Sequence, residues 1–219
     1  MSDSIPSVPL LPVEVLARRH ALLSSIGFLI LLPLGVLVTR YLRTFTARWW
    51  FGHWIIQFLI SGPVIFAGWA YGHQTTMTLG TPNFMDIHQK IGVVLLILYL
   101  AQLVLGAVIH FFKTPSLFSG RRPPQNYLHA VLGLVILALA AYQVHYGLVT
   151  EWLLVAGGLH AIPQSAINAW MALIIVFWAM YAIGLALLPR QYRQERRAKI
   201  AGDSEIGLQS SKNGASHRV

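Results

Sequence analysis

Five stretches of this chain are uncharged, apolar and long enough to cross a bilayer, which leaves a helical membrane bundle as the expected fold. The first contains Ala21 to Val38, eighteen residues between Arg19 and Arg40. With their flanks, the spans fall near residues 19–41, 49–72, 87–111, 127–147 and 166–188. In hydrocarbon each backbone N–H and C=O must be satisfied internally, and a single helix of this length does so. Composition agrees: 56% of residues are hydrophobic and 11% charged, whereas soluble domains carry roughly a quarter charged residues. Short connections make consecutive helices antiparallel neighbours. The fold class is therefore all-α, a four-helix transmembrane bundle with a fifth, C-terminal transmembrane helix.

The flanks read differently. Residues 1–16 hold three prolines and no periodicity and are expected to form a flexible arm, followed by the transmembrane unit over 17–189. Residues 148–165 are glycine-rich and too short to span, and are assigned to the interface. The tail 190–219 is basic, polar and expected to be disordered. The N-terminal residues lack the basic head and apolar run of a cleavable signal peptide. Of sixteen Lys and Arg, Arg18, Arg19 and Lys90 fall on one side and thirteen on the other, including Arg40, Arg43 and Arg48. The positive-inside rule then puts the N-terminus outside and the C-terminus in the cytoplasm. The +9 net charge follows this topology, so nucleic acid is not the expected partner.

Residues 88 to 147 contain one pattern twice. His88, Gly92, Gln102 and Gly106 recur, 41 positions on, as His129, Gly133, Gln143 and Gly147. An inward histidine on a membrane helix is costly unless something uses it. The glycine four residues on lies one turn along on the same face and removes a side chain that a flat ligand would meet. Gly92 and Gly133 are thus candidate cofactor-binding positions. For the two glutamines the expectation is hydrogen bonding between helices.

His20, His53, His88 and His129 stand near the starts of four successive helices. Alternating direction puts His20 and His88 near the outer face, and His53 and His129 near the inner one. Alternate helices of a four-helix bundle are diagonal across its core. Two imidazoles facing across an axis suit six-coordinate haem iron, so two b-type haems, about 20 Å apart along the membrane normal, use all four residues. A rival pairing would give helices two and four both haems through His53 with His73 and His129 with His145. Twenty and sixteen residues of separation put each of those pairs on nearly opposite faces, unless a kink at Pro63 resets them. Zinc would want three or four close ligands, and none of the seven acidic residues lies within an expected span. Cysteine is absent, which excludes thiolate sites. A channel or transporter without haem would leave the phased histidines unused.

These features resemble the cytochrome b561 transmembrane domain over most of residues 17–190. The residues that carry it are RRHALL and PLGVLVTRYLR in the first span, HWIIQ and FAGWAYG in the second, HQKIGVVLLILYLAQLVLG in the third, and HAVLG with QVHYGL in the fourth. RRPPQNYLHAVLG is similar to the fungal branch, and no DOMON module is expected before the first haem helix. The resemblance implies two haems b, with His20 and His88 as ligands of the outer haem iron and His53 and His129 as those of the inner one. It also implies electron transfer from a cytoplasmic reductant such as ascorbate to an outside acceptor such as ferric chelate or monodehydroascorbate. Arg40, Arg43 and Arg48 are candidates for the donor or a haem propionate, and Arg18 and Arg19 for the outer acceptor or a propionate. A redox protein, a quinone or a second copy of the chain remain as further partners.

Overall fold

The computed structural model describes residues 8–112, 123–198, 200, 201 and 204. It contains five long helices: α1 (Pro12–Leu42), α2 (Trp49–Leu79), α3 (Ile87–Phe111), α4 (Pro124–Ala156) and α5 (Gln164–Ala198). All five are long and apolar enough to cross a membrane. Hydrophobic side chains from α1 through α5 meet in one core around Phe28, Leu32, Ile65, Leu95, Ile136 and Phe177. Many other large apolar side chains remain on the outer surface, as a bilayer-facing exterior requires.

Several helix limits differ from the sequence expectation, each for a local reason. The first helix begins at Pro12 rather than after residue 16. Proline at the first turn loses no helical hydrogen bond, and the Glu14 carboxylate accepts the Leu11 N–H at 2.6 Å. The fourth helix does not stop at Gly147, which stays right-handed and opens a wide π-turn over Gly147–Glu151. The stop is ten residues later at Gly157, where φ is +56°. Glu14, Glu151 and Glu195 therefore lie within the long helices, in the turns by which these extend beyond the spans expected from sequence. The last helix continues through residue 198 into the expected tail, fastened by Arg43 to Glu195 at 3.2 Å and by Gln194 Nε2 donating to the Thr44 carbonyl at 3.0 Å. Most of the remaining tail lies outside the described residues.

Two further π-turns, Ile26–Leu31 and Ile55–Ile60, lie just before Pro33 and Pro63. Proline supplies no N–H and its ring crowds the carbonyl four residues earlier, so the preceding turn widens. Within the second of these turns the carbonyl of Gln57 accepts the hydroxyl of Tyr99 at 2.7 Å. Tyr99 is 2% exposed and packs edge-on to Phe28. This aromatic pair occupies the middle of the bundle.

Candidate functional site

The helices bring the four phased histidines together as two pairs. The His20 and His88 rings have centroids 5.9 Å apart, with planes crossed at 84°. The His53 and His129 rings lie 6.3 Å apart, crossed at 79°. The pairs occupy opposite ends of the bundle. On α1, fifteen residues separate His20 from Gly35, the residue that meets His53; at about 1.5 Å per residue this is about 22 Å.

Within each pair the two histidines are seated differently. His20 Nδ1 lies 2.8 Å from the Gly68 carbonyl, and His53 Nδ1 lies 2.9 Å from the Gly35 carbonyl. A carbonyl only accepts, so the proton is assigned to Nδ1, and the Nε2 lone pair is left for a metal. His88 and His129 are instead held at the backbone by glutamines. Gln143 Nε2 donates to the His88 carbonyl at 2.6 Å and lies 2.9 Å from His88 Nδ1. Gln102 Nε2 donates to the His129 carbonyl, also at 2.6 Å. At this second contact His129 Nδ1 and Gln102 Oε1 are both buried without a hydrogen-bond partner among the described residues.

These contacts follow two internal repeats. Across α3 and α4, Gln102 reaches His129 while Gln143 reaches His88, a reciprocal arrangement with the 41-residue period. A Cβ on Gly106 would stand 3.1 Å from His129 Cε1, and one on Gly147 3.1 Å from His88 Cε1. Across α1 and α2 the period is 33: His20 bonds Gly68, and His53 bonds Gly35. A Cβ on Gly68 would come within 2.7 Å of Ser24 Oγ, and one on Gly35 within 2.7 Å of Gln57. Each antiparallel helix pair thus contributes one equivalent histidine to each end.

A cavity opens at the His20–His88 end, with about 220 Å³ accessible to water-sized molecules. His20, His88, Ser24, Gly92, Gln143 and Gly147 are among its lining residues. Gly92 therefore borders the space. Gly133 faces a side chain: a Cβ there would lie 2.9 Å from Gln102 Nε2. Glu151, which the sequence reading left in an interfacial segment, also lines the cavity. Its signal was helical continuity past Gly147, four residues before it.

The arginines divide. Arg40 donates from Nη2 to the Tyr181 hydroxyl at 2.8 Å and sits 4.8 Å over that ring. Arg43 bonds Glu195 and covers Trp49 at 4.8 Å, while Arg48 is exposed at the start of α2. Arg19 lies 5.6 Å over the Tyr71 ring, and neither Arg18 nor Arg19 lines the cavity. Of the rival ligands, His73 stacks on Trp69 at the cavity wall, whereas His145 packs against Trp170. His110 packs on Trp50, and His160 bonds Glu14. His217 lies outside the described residues.

Two imidazoles binding one metal from opposite sides need about 2 Å from each nitrogen plus the ring radii, about 6 Å between centroids. Both observed separations fit this requirement. Among the described residues no three metal-ligating side chains cluster, and a porphyrin needs only two from the protein. No curated protein and no solved structure matches the chain. Residues 19–154, more than half of it, match the family described as eukaryotic cytochrome b561. The match takes in all four facing histidines, and the chain belongs to the eukaryotic cytochrome b561 family, in which haem b serves transmembrane electron transfer.

Proposed function

We propose that the chain binds two haems b, one between His20 and His88 and one between His53 and His129, and conducts electrons between the membrane faces. The supporting observation is the pair of facing imidazoles, 5.9 and 6.3 Å between centroids, at each end of one bundle. Haem b supplies a one-electron couple when bound there. The chain's residues position it: the Gly68 and Gly35 carbonyls orient two of the rings, and Gln143 and Gln102 brace the backbone that carries the other two. Tyr99 and Phe28 fill the space between the ends and keep water out of it.

Lys and Arg counting places the Arg40–Arg48 turn in the cytoplasm and the His20–His88 cavity outside. The donor is then a small cytoplasmic anion such as ascorbate, and Arg48 is an exposed cation on that turn able to meet it. The acceptor is extracytoplasmic, of the ferric chelate or monodehydroascorbate kind. A second reading, a di-haem subunit passing electrons to a protein or quinone, uses the same ligands and differs in the final acceptor.

The test is a reduced-minus-oxidised visible spectrum of the purified chain with haem counted per protein. Two haems b are expected, with one lost in His20→Ala or His88→Ala and the other in His53→Ala or His129→Ala. Full haem content in all four variants, or loss in His73→Ala and His145→Ala instead, would overturn the ligand assignment. Reduction of ferric chelate by the purified protein with ascorbate favours the independent reductase over the subunit reading.

A further inference from the structure

We propose that Glu151 takes up one proton when an electron reaches the His20–His88 layer, so that reduction at this end is coupled to protonation of the chain. The inference rests on the reading that this layer holds haem b. Glu151 lines the same cavity as the two histidines. Its Oε1 is buried and has no hydrogen-bond partner among the described residues. An ionisable side chain in that position within a membrane helix is expensive and calls for a function. The π-turn Gly147–Glu151 links it to the ligand layer, since it opens at the glycine that makes room for the His88 ring and ends at the carboxylate.

The charges around Glu151 favour proton binding on reduction. No Lys or Arg is among the residues lining the cavity. The titratable groups facing it are His20 from α1, His73 from α2 and His88 from α3. Asp86 at the start of α3 and Tyr146 on its own helix also act on it electrostatically. Glu14 on α1 is committed to His160. An arriving electron adds one negative charge to an apolar site that already holds a carboxylate, and like charges repel strongly there. A proton on Glu151 cancels the added charge.

The exchange balances. One electron enters from the donor side, and one proton from the outer water forms the O–H bond of the Glu151 carboxylic acid. When the electron leaves to the acceptor, that bond breaks and the proton returns to the outer water.

Redox potentiometry of the full-length haem-loaded protein at a series of pH values tests this. The relevant component is the one missing in His88→Ala. In wild type its potential should fall as pH rises, with a slope approaching 59 mV per tenfold change in proton concentration for a one-electron couple. Glu151→Gln should hold a pH-independent potential at the level wild type reaches in acid, because the amide stands in for the neutral acid. Glu151→Asp keeps the carboxylate and should keep the slope. A pH-independent wild-type component, or an equal slope in wild type and Glu151→Gln, would overturn the inference while leaving the haem reading intact. A wild-type protein without haem at this layer would overturn that reading first.

Discussion

Glu14 and His160, 146 positions apart, are joined by a 2.8 Å contact between Oε1 and Nδ1, and the other ring nitrogen, Nε2, lies 2.9 Å from the Val8 carbonyl. Both nitrogens face acceptors, so the ring is satisfied only as the doubly protonated imidazolium. The Glu14 side chain is fully buried, and Trp152 Nε1 donates to the His160 carbonyl at 2.6 Å. The cluster fastens the segment before α1 to the loop after α4. The hydrogen bond to Glu14, and then that to Val8, raise His160 above the ordinary histidine value of 6.5.

A pH dependence with a definite sign follows. A histidine with a raised folded-state value contributes stability that is fully present below 6.5 and is lost as pH rises through the raised value. Protection of the Val8, Leu10 and Leu11 amides, taken relative to the intrinsic base-catalysed exchange rate, should be high in mild acid and fall on the alkaline side. His160→Gln should show low protection at both, and a wild-type protection that does not change with pH would refute the clasp.

Glycines next to the histidines should report on one end at a time. A Cβ on Gly72 would lie 2.7 Å from His20 Nδ1, and His20 is held by the Gly68 carbonyl. Gly72→Ala should displace that ring and reduce haem at the His20–His88 end only. Gly106→Ala, 3.1 Å from His129 Cε1, should act more weakly and at the other end. Overpacking of this kind costs about 1–3 kcal/mol, enough to separate the two haem populations in a spectral titration with heat.

The histidine pairs were legible in the sequence because a helix converts spacing into facing, and four histidines at the starts of alternating helices allow few arrangements. The 41-residue repeat was legible too, and so was hydrogen bonding between helices by its glutamines, but not their partners. That Gln102 braces the carbonyl of His129, or that Gly35 and Gly68 offer their carbonyls to His53 and His20, depends on how helices rotate against each other. The π-turns before Pro33 and Pro63 help set that rotation, and periodicity does not report it. Glu151 was misplaced for a simpler reason: Gly147 looks like a glycine helix stop, yet it stays right-handed, and the left-handed cap is made by Gly157 instead.

Gln143 bears on ligand affinity rather than on folding alone. It holds the His88 backbone at 2.6 Å and approaches Nδ1 at 2.9 Å. Loss of an outer partner of a metal-ligating histidine typically costs 10–100-fold in affinity. Gln143→Leu keeps the bulk and should weaken haem retention at the His20–His88 end by about that factor, measured by competition with a haem acceptor. Retention at the His53–His129 end should stay unchanged, since Gln102 makes the equivalent contact there.

Arg40 and Arg48 should separate a structural cation from one that meets the donor. Arg40 bridges α1 to α5 through Tyr181, its Nε is buried without a partner among the described residues, and its stem crosses Gly184 closely enough that a Cβ there would collide with it. Tyr181→Phe removes an acceptor from a charged donor, a change worth about 1.5–3 kcal/mol. It should lower the thermal midpoint while leaving the KM for an anionic donor unchanged. Arg48 is exposed and its hydrogen bond with Thr46 runs from its backbone N–H to the Thr46 hydroxyl, so Arg48→Gln should leave stability and haem content intact. Its KM for ascorbate should rise, and the difference from wild type should shrink as salt screens the attraction. If instead Tyr181→Phe raises KM and Arg48→Gln does not, the donor meets the bundle beside α5, and Arg40 is the residue that receives it.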